Sequence, residues 1–289
     1  TWSFYPEPYQ IWFIKRCFDA MNDFPLHDHR KEITTGNIFK NAKPKHIEQT
    51  YNNAITKIAH GKFFSKNEHA TWAELEKAHK KNETAFCRNV GLVLETRPDY
   101  IDEKEVIKLR RFGATKIQIG IQSCDDTILN KNERGHTQKE TQRAIKLLRL
   151  AGFKIHGHWM PNLYGANVSS DIKDYKKLWT PPYSPDELKI YPTSIIANTE
   201  LNSLYKYGRY HPYSHDDLLN LFTHILPMTP RYARLTRIVR DIPSDNIVAG
   251  NKFTNFRQIG ENEVLNLGKK LQDIRSREVR QLNISLKNL

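Results

Sequence analysis

The sequence has few cysteines, and those it has are far apart. Cys17, Cys87 and Cys124 are the three cysteines among 289 residues, and no two of them share the short spacing of metal-binding or redox motifs. An odd, sparse set argues against a disulfide framework and is typical of a reducing compartment, so we expect a cytoplasmic protein. We assign no metal ligand to any of the three.

Long apolar runs and targeting signals are also lacking. No stretch of about 18 apolar residues occurs, which excludes a transmembrane helix in this sequence and predicts no membrane partner. Residues 1–6 contain no basic region followed by an apolar segment, unlike a signal peptide. They also contain no initiator methionine, so we expect the sequence to begin inside a longer product.

Acidic residues are outnumbered by basic ones. Asp and Glu total 32 against 45 Lys and Arg, which gives a formal net charge of +13. An excess of this size indicates a polyanionic partner. Nucleic acid is the first candidate, and a generic basic surface is the alternative. The hydrophobic fraction of 38% suffices for one large α/β domain, or for a barrel with a small appendage.

Hydrophobic periodicity alternates between strand and helix patterns from residue 71 onward. Short apolar runs predict strands at 90–94, 116–121, 153–160, 188–191 and 233–239. Amphipathic patterns predict helices at 73–83, 103–112, 137–150, 170–178 and 215–226, after a first helix at 8–22. Thr137 and Glu140 form a capping-box pattern, and Gly113 and Gly152 are helix stops. Alternating strands and helices predict parallel βαβ units and a barrel-like sheet.

Residues 27–70 differ from the rest of the sequence. They are polar, rich in Lys, Asn and His, and weakly periodic. We interpret them as an insertion, which is either an arm that contacts RNA or a solvated segment without such a role.

Polar residues lie at or near the carboxyl ends of the predicted strands. Glu95, Gln122, His158 and Lys189 hold these positions, where parallel barrels carry their active sites. Arg134 lies on the loop before a helix. Glu95 offers a carboxylate to an amine, and Arg134 offers a guanidinium to a carboxylate. Gln122 and His158 can both bind hydroxyls. Together these groups complement an amino acid joined to a nucleoside, as in S-adenosylmethionine. Taken singly, each of these residues is more typical of a structural polar group, and it is their occurrence together that favours a binding site.

Six sequence blocks resemble the catalytic subunit of Elongator and its bacterial and archaeal single-chain relatives. In order, they are ETRPDY (95–100), IGIQS (119–123), RGHT (134–137), HWMPNL (158–163), LKIYPT (188–193) and RDIPS (240–244). The resemblance implies a partial (β/α)₆ TIM-like radical-SAM barrel over residues 1–245. Residues 246–289 would then be a C-terminal extension that leads to an acetyltransferase domain.

The resemblance also implies a reaction and its cofactors. Such enzymes form 5-carboxymethyluridine at the wobble uridine of tRNA, with acetyl-CoA as co-substrate, S-adenosylmethionine and a [4Fe–4S] cluster. By motif, Glu95 would bind the methionine amine, Arg134 its carboxylate, and Gln122 and His158 the ribose. The implied partners are the anticodon stem-loop of tRNA, and either a second copy of the chain or Elongator-like subunits.

The sequence departs from this family at both ends. The family's cluster cysteines and first strand would precede Thr1, and its acetyltransferase domain would follow Val279. We therefore expect a barrel without its first strand and cluster loop, inactive as a single chain. Three interpretations stay open: a wobble-uridine modifying enzyme, a radical-SAM enzyme with another substrate, and a barrel that binds tRNA without catalysis.

Two further groups of residues are candidates for contact with the substrate. Lys189 and Tyr191 are two residues apart on the fourth predicted strand and are candidate catalytic residues. The lysine would meet a phosphate or the substrate carbonyl, or else form a salt bridge to Glu95 or Asp99. A basic stretch with few acids is a candidate for contact with the RNA backbone, or is a solvated basic face. It comprises Arg231, Arg234, Arg237, Arg240 and Arg257.

Overall fold

The computed structural model of the protein describes residues 2–24, 68–239 and 242–279. Two compact units are present: residues 1–92 with 111–113, and residues 93–110 with 114–289. The insertion predicted at 27–70 lies almost wholly outside the described residues, and Arg240 lies outside them as well.

The first unit contains helices α1 (Glu7–Asp23) and α2 (Trp72–Asn82), close to the predicted bounds. Their apolar residues at helical spacing are buried, among them Ile14 and Leu75. Buried amides join the two helices, because Asn22 Nδ2 donates to Ala78 O at 2.9 Å and Asn82 Nδ2 donates to Asn22 Oδ1 at 2.8 Å.

The second unit contains the strands and the remaining helices. The strands are β1 (Val93–Thr96), β2 (Lys116–Gln122), β3 (Lys154–Trp159), β4 (Glu187–Ile190), β5 (Ile195–Ile196), β6 (Arg234–Ile238) and β7 (Ile247–Ala249). The helices are α3 (Glu103–Arg111), α4 (Asp126–Lys131), α5 (Gln138–Leu150), α6 (Val168–Leu178), α7 (Glu200–Lys206), α8 (His215–Met228) and α9 (Phe256–Asn266). Among the described residues, no helix has the length and apolar character needed to cross a membrane.

Five strands form one parallel sheet in the order β1-β2-β3-β4-β6. Neighbouring strands follow one another along the chain and are joined through helices, which is the connectivity of a (β/α) barrel wall. The sheet does not close within the described residues, so the prediction of a partial α/β barrel is confirmed.

The strand predicted at 90–94 is wrong in position. The observed strand β1 begins at Val93, paired with Lys116, and extends to Thr96, paired with Ile119. Val90 is 99% exposed, so the apolar residues that suggested the strand precede it. The observed placement moves Glu95 from just beyond the strand to a position inside it.

The two faces of the sheet differ in polarity. Ile117, Ile119 and Ile121 alternate along β2 and are fully buried, and Ile155 on β3 is buried in the same way. The capping box of Thr137 with Glu140 begins α5 as predicted, and α5 lies against β3. The opposite face is polar and presents Gln118, His156, His158, Glu187, Lys189 and Thr236.

A charged cluster crosslinks the amino ends of three strands. Glu187 is 3% exposed, and it accepts from Lys116 Nζ at 2.8 Å and from Lys154 Nζ at 2.9 Å. Two cations thus neutralise the buried carboxylate, which would otherwise be unfavourable. The cluster lies at the amino-terminal end of the barrel wall, which in parallel barrels contributes to stability rather than to chemistry.

The predicted C-terminal extension begins at residue 246, and its residues 247–249 pair with a strand of the second unit. Strand β7 pairs in antiparallel orientation with β5, and α9 packs against α8. These elements include residues on both sides of the predicted boundary at 245. The division into 1–245 and 246–289 stays a prediction.

Candidate functional site

The carboxyl edge of the sheet brings the predicted strand-end residues together. Glu95 and His158 lie next to the last residues of β1 and β3, and Lys189 holds the same position on β4. His158 Nδ1 is 3.8 Å from Glu95 Oε1. The His158 ring centre is 6.0 Å from that of Tyr191, directly after β4. Sequence reasoning placed these side chains at one mouth, and the structure places them there.

Gln118 connects two of these side chains and was missed by sequence reasoning. Its Oε1 accepts from Lys189 Nζ at 2.6 Å and lies 2.9 Å from His158 Nε2. A signal was present, because Gln118 is four residues before Gln122, and a regular strand of period two would place both on one face. In the structure the pairing of β2 with β3 is irregular between Ile119 and Gln122.

Both histidines of β3 are neutral at physiological pH. Burial lowers the pKa of His158 to about 3, and the nearby Lys189 and His156 lower it further. Burial likewise lowers the pKa of His156 to about 4, against the opposing effect of Glu187. Burial also lowers the pKa of Lys189, while Glu95 opposes this change. His158 is thus shielded from water, which strengthens its hydrogen bonds, whereas the Glu95 side chain beside it is 55% exposed.

Gln122 and Arg134 lie beside each other over Gly120. Gln122 ends β2 with a φ of 64° and is 9% exposed. A Cβ on Gly120 would lie 2.9 Å from Gln122 Nε2 and 3.8 Å from Arg134 Nη2, so the glycine leaves room for both side chains. Gln122 Oε1 and Arg134 Nε are buried without a hydrogen-bond partner among the described residues. Both atoms are therefore available to hydrogen-bond a ligand or an ordered water at this position.

The loop that carries Arg134 is fixed from the neighbouring strand end. Arg97 donates from Nε and Nη2 to the two carboxylate oxygens of Asp99, both at 2.9 Å, and from Nη2 to Arg134 O at 3.0 Å. Gly135 adopts a φ of 68°, and a Cβ there would lie 2.7 Å from Arg97 Nη2. The ring nitrogens of buried His136 lie 3.3 Å from the main-chain oxygens of Arg134 and Ile121.

The turn after β3 is fixed from a helix. Asp171 on α6 accepts from Asn162 N at 2.7 Å and from Tyr213 Oη at 2.7 Å. Asn162 has a φ of 62°, and its carbonyl accepts from Tyr210 Oη at 2.7 Å. Burial raises the pKa of Asp171 to about 7. Tyr210 and Tyr213 therefore help to fix this turn.

The arginines predicted to contact RNA divide into two groups. Arg234 forms an ion pair with Glu278, and Arg257 donates to Glu261 Oε1 at 2.7 Å and to Leu235 O at 2.7 Å. Arg231 and Arg237 are exposed, before and near the end of edge strand β6. Arg240 lies outside the described residues. Two of the five guanidinium groups thus join parts of the chain to one another.

The three cysteines are free thiols in different surroundings. Cys17 is exposed, Cys87 is half-buried and Cys124 is buried. Burial raises the pKa of the Cys124 thiol, and Asp174 adds to this change. Among the described residues, no group of three His, Cys, Asp or Glu side chains is arranged to hold a metal ion.

Two family models match the sequence. The Radical SAM superfamily model matches residues 39–175, and the Radical_SAM C-terminal domain model matches residues 185–265. The two matches cover the main sheet and the segment that contains α7 and α8.

Curated relatives match over most of this chain. The tRNA uridine(34) acetyltransferase of Methanocaldococcus infernus is 34% identical over 272 residues, which are 94% of this chain and 42% of that protein. Elongator complex protein 3 of Schizosaccharomyces pombe is 36% identical over 211 residues, 73% of this chain and 39% of that protein. The chain therefore spans less than half the length of these relatives.

A solved structure matches as well. The archaeal Elp3 of Methanocaldococcus infernus with an N-terminal deletion (1–46) superposes with a TM-score of 0.76 at 34% identity. The match covers 96% of this chain and 55% of that chain. In sequence and in structure, the chain belongs to the radical SAM superfamily, in the family of the tRNA uridine(34) acetyltransferases and Elongator complex protein 3.

Proposed function

We propose that this chain is the S-adenosylmethionine-binding part of an acyltransferase that forms 5-carboxymethyluridine at the wobble uridine of tRNA. The observation that carries the proposal is the convergence of four polar side chains at the carboxyl edge of the sheet. Two of them, Gln122 and Arg134, carry buried atoms without partners among the described residues. The names of the relatives, which are tRNA uridine(34) acetyltransferases, support the choice of substrate.

The side chains at this edge fit S-adenosylmethionine. When bound and cleaved at its C5′–S bond by one electron from the family's cluster, the cofactor would supply a 5′-deoxyadenosyl radical for abstraction of hydrogen and would release methionine. The partnerless guanidinium nitrogen of Arg134 suits a carboxylate, and the partnerless carbonyl of Gln122 suits a ribose hydroxyl. Glu95 is the carboxylate for the methionine amine, and neutral His158 offers its free ring nitrogen to a hydroxyl.

The [4Fe–4S] cluster of the family does not fit the described residues. They contain no arrangement of three candidate ligands, and the cysteines are isolated free thiols. We therefore derive no step through the cluster. Reaction with acetyl-CoA would also involve groups beyond those at the edge of the sheet.

Lys189 and Tyr191 are the residues we assign to the substrate. Burial lowers the pKa of Lys189, and its ammonium group already donates to Gln118. A lysine ammonium keeps two further donors for a phosphate or a carbonyl oxygen of the substrate. The Tyr191 ring packs edge-to-face against the His158 ring, with 6.0 Å between the ring centres, and is half-buried, so it borders the same space.

The anticodon stem-loop of tRNA is the macromolecular partner in this proposal. The net charge of +13 and the exposed Arg231 and Arg237 support it, because phosphate contacts supply most of the affinity for nucleic acid. A second copy of the chain or Elongator-like subunits are the proposed protein partners. The name Elongator complex protein 3 supports the latter.

A binding experiment with S-adenosylhomocysteine, an unreactive analogue, tests the cofactor assignment. We expect titration calorimetry to show binding to the chain and about tenfold weaker binding to the Gln122→Ala and Arg134→Ala variants. Arg143→Ala, at an exposed position of α5, is the matched control and should bind like the unaltered chain. Equal affinities for all four proteins would contradict the site.

The same measurement, repeated with an anticodon stem-loop, separates the alternatives. A chain that binds the stem-loop but not the analogue is a tRNA-binding barrel without cofactor chemistry. A chain that binds the analogue but not the stem-loop is a radical-SAM protein with another substrate.

A further inference from the structure

We infer that Gln118 is a positioning residue that fixes His158 as the Nε2–H tautomer, so that His158 Nδ1 and Glu95 act together as acceptors for one donor group of the ligand. That this ligand is S-adenosylmethionine rests on the proposed function. The assignment of the tautomer rests on the contacts of Gln118 alone.

The contact with Lys189 fixes the orientation of the Gln118 amide. The ammonium of Lys189 is 2.6 Å from one of the terminal atoms of that amide. A lysine ammonium has donors only, so the atom that it contacts must be the carbonyl oxygen. The NH₂ group of Gln118 therefore points away from Lys189.

The orientation of the amide in turn fixes the proton on His158. The same oxygen of Gln118 lies 2.9 Å from His158 Nε2. An oxygen that only accepts requires an N–H opposite it, so Nε2 carries the hydrogen. The ring carries one proton at neutral pH, because burial and Lys189 lower its pKa to about 3. Nδ1 consequently presents a lone pair.

This lone pair faces another acceptor. His158 Nδ1 and Glu95 Oε1 are 3.8 Å apart, too far for a hydrogen bond between them. Two acceptors side by side are complementary to a group with at least two hydrogens, such as an ammonium. A hydroxyl donates only one hydrogen, so this pair favours the amine end of an amino-acid ligand. His158 is therefore moved from the ribose hydroxyl, its role under the proposed function, to the amine beside Glu95.

The neutrality of Gln118 is essential to this arrangement. A carboxylate in its place would favour the charged imidazolium and raise the pKa of His158. Nδ1 would then carry a proton and pair with Glu95, which would close the acceptor pair to the ligand. The charged and titratable groups around the ring come from three strands: Glu95 on β1, His156 on β3, and Lys189 and Tyr191 at β4.

The first test is spectroscopic and needs no ligand. Long-range ¹H–¹⁵N correlation spectra of histidine rings distinguish the two tautomers, and a His158→Gln variant identifies the signal among the 12 histidines. We expect the Nε2–H form in the unaltered chain, without titration of this ring at neutral pH. In Gln118→Glu, we expect the ring to take up a second proton at higher pH than in the unaltered chain. An Nδ1–H tautomer in the unaltered chain would overturn the inference.

The second test measures binding of S-adenosylhomocysteine. We expect Gln118→Glu and Gln118→Leu to weaken binding about tenfold. The matched control is Gln142→Glu on α5, where the amide donates to Tyr183 Oη at 3.2 Å, away from the mouth. Unchanged affinity in both Gln118 variants would overturn the positioning role. The unaltered chain could fail to bind S-adenosylhomocysteine while its His158 ring is the Nε2–H tautomer. That result would overturn the cofactor assignment and leave intact the role of Gln118 in fixing the tautomer.

Discussion

Arg97 donates a hydrogen bond from Nη2 to the main-chain oxygen of Arg134 at 3.0 Å. The same guanidinium makes a two-pronged ion pair with Asp99, which fixes its plane. The residue that we assign to the cofactor carboxylate is thus held by its backbone from the neighbouring strand end. The Nε of its side chain has no hydrogen-bond partner among the described residues and stays available for a ligand.

Replacement of Arg97 by methionine should weaken ligand binding. The Arg97→Met variant keeps most of the apolar stem but releases the Arg134 loop, so we expect about fivefold to tenfold weaker binding of S-adenosylhomocysteine. The matched control is Arg149→Met. Arg149 also joins a main-chain oxygen, Ser184 O at 2.7 Å, to a carboxylate, Asp186 at 3.9 Å. Calorimetric titration should show a loss only for Arg97→Met, and equal losses for both would contradict the assignment.

Substitution of Gly135 provides a second test of the contact between Arg97 and the loop that carries Arg134. Its φ of 68° is unfavourable for alanine by about 1 to 2 kcal/mol of unfolding free energy, and a Cβ would also lie 2.7 Å from Arg97 Nη2. Gly152 has a φ of 77° with nothing within 4 Å of such a Cβ, so Gly152→Ala isolates the backbone effect. Urea denaturation should show both variants destabilised. Only Gly135→Ala should also weaken binding of the analogue, and a loss of binding in Gly152→Ala would show that the effect is not local.

The strand-end residues could be predicted because the carboxyl ends of parallel strands share one edge. Glu95, His158 and Lys189 needed only the strand order, which the alternating periodicity supplied. Gln118 needed the register between strands, because a glutamine inside a strand resembles any exposed polar residue until its neighbours across the sheet are known. The bond from Lys189 spans 71 positions of sequence.

A count of charges along the basic stretch at 231–257 does not show which arginines pair with acids elsewhere in the chain. Arg234 and Glu278 pair across the sheet unit, and the acid is too distant in sequence to appear in a local count. Helices α4 and α7 were missed for a different reason, since six or seven residues are too few to show a helical period. The strand at 90–94 was misplaced because hydrophobicity marks burial, whereas pairing with β2 determines where β1 begins.

Asp171 should make stability depend on pH. Burial raises its pKa from 3.8 to about 7, so the folded chain binds this proton more tightly than the unfolded chain. The resulting stabilisation is complete below about pH 4 and is lost as the pH rises through about 7, at up to about 1.4 kcal/mol per pH unit. In the Asp171→Asn variant, the amide oxygen can still accept from Asn162 N and Tyr213, without a titration.

Urea denaturation between about pH 4 and pH 8 measures how the free energy of unfolding depends on Asp171. The unaltered chain should lose stability relative to Asp171→Asn as the pH rises, and the two curves should run parallel above about pH 8. Asp216→Asn, at an exposed position in the first turn of α8, should leave the slope unchanged. A constant difference between the chain and Asp171→Asn at every pH would refute the raised pKa.

Arg231 and Arg237 should carry the salt dependence of tRNA binding. Each exposed guanidinium that neutralises a phosphate contributes about 0.7 to 0.9 to the slope of log K against log salt concentration. We expect Arg231→Gln and Arg237→Gln to lower the slope for an anticodon stem-loop by about that amount each. Arg257→Gln should instead lower stability, because Arg257 is held by Glu261 and by the main chain of β6.

The comparison of slopes is more decisive than the comparison of affinities. A variant that merely unfolds part of the chain lowers the fraction of binding-competent protein at every salt concentration and leaves the slope as it was. Arg143→Gln removes the same charge from the exposed side of α5 and should alter the slope little, because screening weakens charges that touch no phosphate. A slope lowered equally by Arg143→Gln and Arg231→Gln would mean that the +13 charge acts as a whole and that no particular surface of the described residues binds the tRNA.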